Sequence, residues 1–135
     1  MGRRYAGGDN YEATIDGPVA MMRVWRRPDL SFERGAVLAA EVASHLQDFA
    51  DGKAPGVTAI ILDITAAPEH VGKKTREAVG FVLTRCETLG VWLALVISTN
   101  TQAVIMDHVV ARNGVAPEHV RVVRDVTEAL AWVRG

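Results

Sequence analysis

Two continuous apolar runs stand out along the chain, one over residues 57–63 and one over residues 91–98. A continuous run, unlike an alternating one, is typical of a strand that is buried on both faces of its sheet. Between the two runs lies a helix-length segment, about residues 73–89, that ends at Gly90. A strand, a helix and a second strand in this order form a right-handed crossover with parallel strands. The pattern therefore predicts an α/β domain organised around residues 57–98.

The segment before this unit predicts a hairpin and a helix. Residues 11–25 contain two strand-like stretches separated by Asp16-Gly17, a two-residue turn signal. Residues 32–50 have apolar positions at spacings of three and four, which predicts one buried helix face. Residues 1–9 are polar and rich in glycine, and we expect them to be disordered.

The segment after it predicts a helix over about residues 102–112, a short strand over 120–123 and a closing helix over 126–133. The predicted order is β-β-α-β-α-β-α-β-α. We therefore expect a single domain over residues 10–135, with a mixed, mostly parallel sheet of about five strands and about four helices.

Neighbouring methionines on the second strand of the hairpin predict different surroundings for their side chains. Met21 and Met22 must point to opposite faces, because successive side chains of a strand alternate. One of them therefore faces away from the layer that the other joins. We expect a helix or a partner protein to cover it.

Composition excludes several classes of protein. The chain has 135 residues, of which 49% are hydrophobic and 23% charged, and its net charge is −1. That balance allows a core without metals or disulfides and gives no field of one sign that favours nucleic acid or an anionic membrane. No apolar run approaches the roughly 20 residues of a membrane span. A single cysteine, Cys86, and a start without the apolar segment of a signal peptide predict a cytoplasmic protein.

Four stretches, taken with the order of elements, carry a family resemblance: residues 60–65 (Ile-Ile-Leu-Asp-Ile-Thr), the helix that closes on Gly90, the strand-to-helix corner of residues 98–104, and the end of the chain from Asn113, with Val-Thr-Glu-Ala-Leu at residues 126–130. Together they resemble a STAS domain of the SpoIIAA-like anti-sigma factor antagonists, over roughly residues 11–134. The resemblance implies a STAS-like scaffold and a protein-binding role in bacterial signalling. The partner that it implies is an anti-sigma factor or a kinase-like regulator.

The chain departs from that family at the start of the helix that ends at Gly90. Switch members of the family carry there an Asp-Ser-Ser-Gly motif whose serine is phosphorylated. Here the corresponding stretch is Gly72-Lys73-Lys74-Thr75, in which Thr75 is the nearest hydroxyl group. We therefore expect the scaffold without the standard serine switch.

Asp63 and the pair Glu69-His70 are the candidate chemical groups. Asp63 ends a central strand, where open α/β sheets gather their ligands, but an Asp at this position more often caps or braces the loop that follows. Glu69 and His70 could act as an acid/base pair, or simply belong to a solvated loop. No nucleophile elbow, phosphate-binding loop, dinucleotide fingerprint or metal-ligand spacing accompanies them. We therefore predict a protein that is not an enzyme and carries no cofactor or metal.

The predicted partner surface is the start of the second long helix with the loop before it. Two lysines at a helix N-terminus could also attract an anion. The candidate partner- or anion-binding residues are Asp63, Thr65, Glu69, His70, Gly72, Lys73, Lys74 and Thr75. A homodimer remains open, and so does the alternative of a SpoIIAA-like domain that binds a lipid or another small ligand between sheet and helices.

Overall fold

The computed structural model describes residues 2–67, 73–114 and 118–135, with the backbone alone for residues 73–75. Its elements are β1 (Arg3–Gly8), β2 (Tyr11–Asp16), β3 (Val19–Trp25), α1 (Phe32–Ala50), β4 (Ala59–Ala66), α2 (Lys73–Leu89), β5 (Trp92–Val96), α3 (Asn100–Arg112), β6 (Val120–Val123) and α4 (Val126–Arg134). The six strands form one sheet in the order β1-β2-β3-β4-β5-β6. Strands β1 to β3 pair antiparallel, and β3 to β6 pair parallel. The predicted α/β class is confirmed.

The number and order of strands differ from the prediction, because Arg3–Gly8 forms β1 at the edge of the sheet. Disorder over residues 1–9 is therefore corrected: three strands, not two, precede α1. The glycines that suggested disorder allow close packing instead. A Cβ atom on Gly8 would lie only 2.5 Å from a ring carbon of Tyr11 and 2.9 Å from a methyl carbon of Leu38. Only glycine allows the strand to approach α1 this closely.

The crossover at the centre of the chain forms as predicted. β4 and β5 are parallel neighbours, with Ile61 opposite Ala94. Ile60 and Ile61 are both fully buried but belong to separate apolar clusters, one on each face of the sheet. This burial on both faces explains the continuous apolar runs.

Helices α1, α2 and α3 contribute to the larger apolar cluster, and α4 packs against the smaller one on the opposite face. The two methionines of β3 divide between these clusters as their alternation requires. Met22 is fully buried in the larger cluster, and Met21 is half-buried against the smaller one. Met21 therefore lies on the face of the sheet against which α4 packs. None of the helices in the described part of the chain is long and apolar enough to cross a membrane.

Candidate functional site

Asp63 lies on β4 and is nearly buried, with 7% of its surface exposed. Thr65 donates both its backbone N–H (3.0 Å) and its hydroxyl group (2.7 Å) to Oδ1 of Asp63. These bonds form a local brace at the end of the strand, because a carboxylate can accept from the backbone two residues ahead. This geometry agrees with the interpretation that Asp63 braces the chain that follows it. A binding role for Asp63 and Thr65 stays a prediction.

Gln102 occupies the neighbouring corner, where β5 leads into α3, and it was not among the predicted site residues. Its side chain is fully buried. Its amide Nε2 donates to the carbonyl oxygens of Ile64 (2.9 Å) and Ala67 (3.3 Å). Its Oε1 accepts the backbone N–H of Ser98 at 2.8 Å. Gln102 therefore fastens the start of α3 to the chain that leaves β4.

A second contact joins the same two segments. The hydroxyl group of Ser98 donates to the carbonyl oxygen of Thr65 at 2.9 Å. Thr99 caps α3 by accepting the backbone N–H of Gln102 at 3.1 Å, in a reciprocal capping box. Asp63, Thr65, Ser98 and Gln102 thus form one polar corner at the carboxyl edge of the parallel strands. The hydrogen bonds within the corner stiffen it.

The structure describes the remaining predicted site residues only in part. Glu69, His70 and Gly72 lie outside the described residues. Lys73, Lys74 and Thr75 form the first turn of α2, a turn without an acidic residue. The proposed partner surface therefore begins at a helix terminus whose sequence carries positive charge where the helix dipole is also positive.

A cleft of about 210 Å³ lies farther along α2, where this helix runs beside α3. The cleft is lined by Arg76, Glu77, Gly80, His108, Val109, Arg112 and Asn113. Sequence reasoning missed it, because its residues come from two helices whose contact depends on the fold. The signal that could have found it is the pair of cationic positions Arg76 and Arg112 on helices joined by a short strand.

Three large exposed apolar side chains, Phe81, Leu89 and Val104, lie on the same pair of helices. Phe81 of α2 is 52% exposed and Val104 of α3 is 69% exposed. Phe81 stands seven residues after Lys74, a spacing that returns to the same side of an α-helix. The outer side of α2 therefore presents an aromatic ring on the stripe that begins at the predicted partner surface.

Cys86, the one thiol of the chain, is unsuited to nucleophilic chemistry. Its side chain is fully buried in the larger apolar cluster. Burial raises the pKa of the thiol to about 12, so the thiolate is scarce at neutral pH. In the described part of the chain, no three His, Cys, Asp or Glu side chains come close enough together to hold a metal ion.

Comparison with known proteins reveals a fold likeness. No protein-family profile matches the chain, and no curated protein sequence matches it. A solved structure, "NMR Structure of the protein TM1081", superposes with a TM-score of 0.58 at 15% identity. The match covers 96% of this chain and 93% of that one. At this level of identity the likeness shows a common fold over nearly the whole domain.

Proposed function

We propose that this domain is a non-catalytic protein–protein interaction module of bacterial signalling. In this proposal it acts like a STAS-type anti-sigma factor antagonist, without the standard serine phosphorylation switch. The observation that carries the proposal is the outer side of α2, where the half-exposed ring of Phe81 follows the lysine-bearing first turn. Aromatic side chains are enriched in surfaces that bind other proteins, and positive charge near them can steer an acidic partner towards the surface.

The hydrogen bonds at the carboxyl edge support a binding role over a catalytic one. The polar groups at the carboxyl ends of the strands are hydrogen-bonded to one another, as Thr65 is to Asp63. The only thiol is buried and protonated. A catalytic site needs a positioned nucleophile or base that is free to react, and in the polar corner Asp63 and Thr65 are bonded to each other instead.

The expected partner is a protein with an acidic patch and an apolar pocket, such as an anti-sigma factor or a kinase-like regulator. Lys73 and Lys74 would meet the acidic patch, and the positive end of the α2 dipole would add to the attraction. Phe81 would enter the pocket, because aromatic side chains often contribute most of the binding energy of an interface.

Two pairs of variants test the proposal. The partner is first isolated with the wild-type domain from the native lysate, identified and purified, and its affinity is then measured by calorimetry. Phe81→Ala should weaken binding tenfold or more, whereas Phe32→Ala on α1, which removes a ring that is 91% exposed, should leave binding unchanged. Lys73→Glu combined with Lys74→Glu should also weaken binding strongly, against little change for Lys53→Glu in the loop after α1.

The test compares the partner's affinity for variants of the α2 surface with its affinity for the control variants elsewhere. Equal affinities for Phe81→Ala and Phe32→Ala, together with equal affinities for the two charge reversals, would remove the α2 surface from the proposed function. Circular dichroism of each variant confirms that the fold is retained.

A further inference from the structure

The walls of the cleft between α2 and α3 present cationic side chains from both helices. Arg76 lies four residues before Gly80 on α2, and His108 lies four residues before Arg112 on α3. Residues four apart lie on one side of an α-helix, so each helix turns one stripe towards the other. The cleft is the space between these stripes, where the side chains of Arg76, His108 and Arg112 line one volume.

Neither guanidinium group of the cleft makes an ion pair or a hydrogen bond with another described residue. Other arginines of the domain do pair with carboxylates: Arg27 with Asp29, Arg34 with Asp9, Arg85 with Asp51 and Arg134 with Asp16. Arg76 and Arg112 therefore keep their donors available within a concave site. A guanidinium group carries five N–H donors in a fixed planar arrangement that suits the oxygens of phosphate and carboxylate.

The floor of the cleft depends on Gly80, which has no side chain. A Cβ atom on Gly80 would lie 2.7 Å from Nδ2 of Asn113, so the glycine allows the amide to approach α2. Asn113 is held there because its Nδ2 donates to the carbonyl oxygen of Val109 at 2.8 Å. This packing keeps the two helices close and gives the cleft a defined base.

Size and charge narrow the choice of ligand. A volume of about 210 Å³ has room for about seven water molecules at their share of the liquid, which is enough for a phosphoryl group and a few further atoms. Glu77 adds one negative charge to the lining, and its carboxylate can accept from a hydroxyl or amino group of the ligand. We propose that the cleft binds a small oxyanion, a phosphate group held between Arg76 and Arg112, either as the free ion or as part of a small organic phosphate. This ligand site goes beyond the proposed protein-binding role and does not depend on it.

Titration of the full chain, followed by the backbone amide signals in nuclear magnetic resonance, tests the site. The probes are inorganic phosphate, glucose 6-phosphate and glucose, added at constant ionic strength. We expect saturable shifts with both phosphates, concentrated in residues 76–80 and 108–113, and none with glucose. Tighter binding of the ester would assign an organic phosphate as the ligand, and equal binding would assign the free ion; both outcomes support the site.

Matched variants separate the cleft from the general charge of the surface. Arg112→Gln and Arg76→Gln should each weaken phosphate binding at least tenfold. Arg26→Gln, which removes an exposed guanidinium outside the cleft, should change it less than twofold. Shifts that do not saturate, or equal losses in Arg112→Gln and Arg26→Gln, would overturn the proposal. Amide spectra of the free variants verify that each remains folded.

Discussion

Replacing Gln102 with methionine removes the side chain that joins two segments of the carboxyl edge. The wild-type amide donates to the carbonyl oxygen of Ile64 at 2.9 Å and accepts the backbone N–H of Ser98 at 2.8 Å. Methionine has a similar length and volume, so it can occupy the same buried space. Its thioether donates nothing and accepts only weakly. The substitution therefore isolates the hydrogen bonds from the packing.

The size of the expected loss follows from these contacts. A buried backbone group that loses its partner costs about 1–3 kcal/mol. The N–H of Ser98 loses its acceptor, whereas the carbonyl oxygen of Ile64 loses one donor and keeps the backbone N–H of Ala67 at 3.0 Å. We therefore expect destabilisation of about 2 kcal/mol. For a domain of 135 residues, the unfolding entropy of about 0.28 kcal/mol/K converts this loss into a fall in Tm of about 7 °C.

Urea unfolding followed by tryptophan fluorescence measures the free energy of unfolding. The matched control is Gln47→Met on α1, which makes the same chemical change at a partly exposed position without a side-chain hydrogen bond to the described residues. This control should stay within about 0.5 kcal/mol of wild type. A loss below about 1 kcal/mol for Gln102→Met, with an unchanged denaturant slope, would refute the idea that the buried amide fastens the corner.

Three further predictions concern other polar groups of the domain. Tyr11 donates its hydroxyl group to Glu41 at 2.7 Å, and burial with this bond raises the pKa of Tyr11 to about 12. The stability that depends on neutral Tyr11 is present below pH 10 and is lost as the pH rises towards 12; Tyr11→Phe should abolish that part of the alkaline loss in urea titrations. Asp63→Ala should cost about 1–2 kcal/mol in the same assay, and Asp63→Asn less than half as much because an acceptor for Thr65 remains; equal costs would argue that the charge matters instead. Cys86 should react with a thiol reagent only at the rate of unfolding, and rapid labelling of the folded protein would contradict its burial.

Sequence reasoning succeeded where local pattern and burial agree. β4 and β5 are buried on both faces, and that burial requires the continuous apolar runs that predict them. Ser31 is a suitable helix cap by residue type, and it accepts the backbone N–H of Arg34 at 3.1 Å. In each case the signal lies within a few neighbouring residues.

β1 shows where that reasoning fails. Its sequence, Arg-Arg-Tyr-Ala-Gly-Gly, has a low intrinsic preference for a strand. The strand is held instead by distant residues: it pairs with β2, and the ring of Tyr5 packs on Phe49 of α1 with centroids 5.0 Å apart. A contact across more than forty residues leaves no periodic pattern, so the glycines alone suggested disorder.

The same contrast between local signals and long-range contacts applies to the candidate sites. The Asp63-x-Thr65 and Thr99-x-x-Gln102 pairs are close in sequence, and the structure shows a local hydrogen bond within each pair. What spacing could not predict is that the amide of Gln102 reaches the carbonyl oxygen of Ile64, thirty-eight residues earlier. Likewise, the cleft exists only because β5 places α3 beside α2. Long-range geometry, not residue type, creates both features.

The two proposed surfaces share α2, so a ligand bound at one should affect binding at the other. The cleft residue Arg76 lies three residues after Lys73, about one helical turn from the proposed partner surface. A phosphate bound at Arg76 would cancel positive charge that an acidic partner needs, and such exposed charges interact over roughly 8–10 Å at physiological salt. Phosphate should therefore weaken the partner's affinity, and the partner should weaken phosphate binding by the same factor, because coupling between two sites is reciprocal. If Arg112→Gln abolished the effect of phosphate on the partner while leaving the partner's own affinity unchanged, the coupling would be assigned to the cleft rather than to screening by salt.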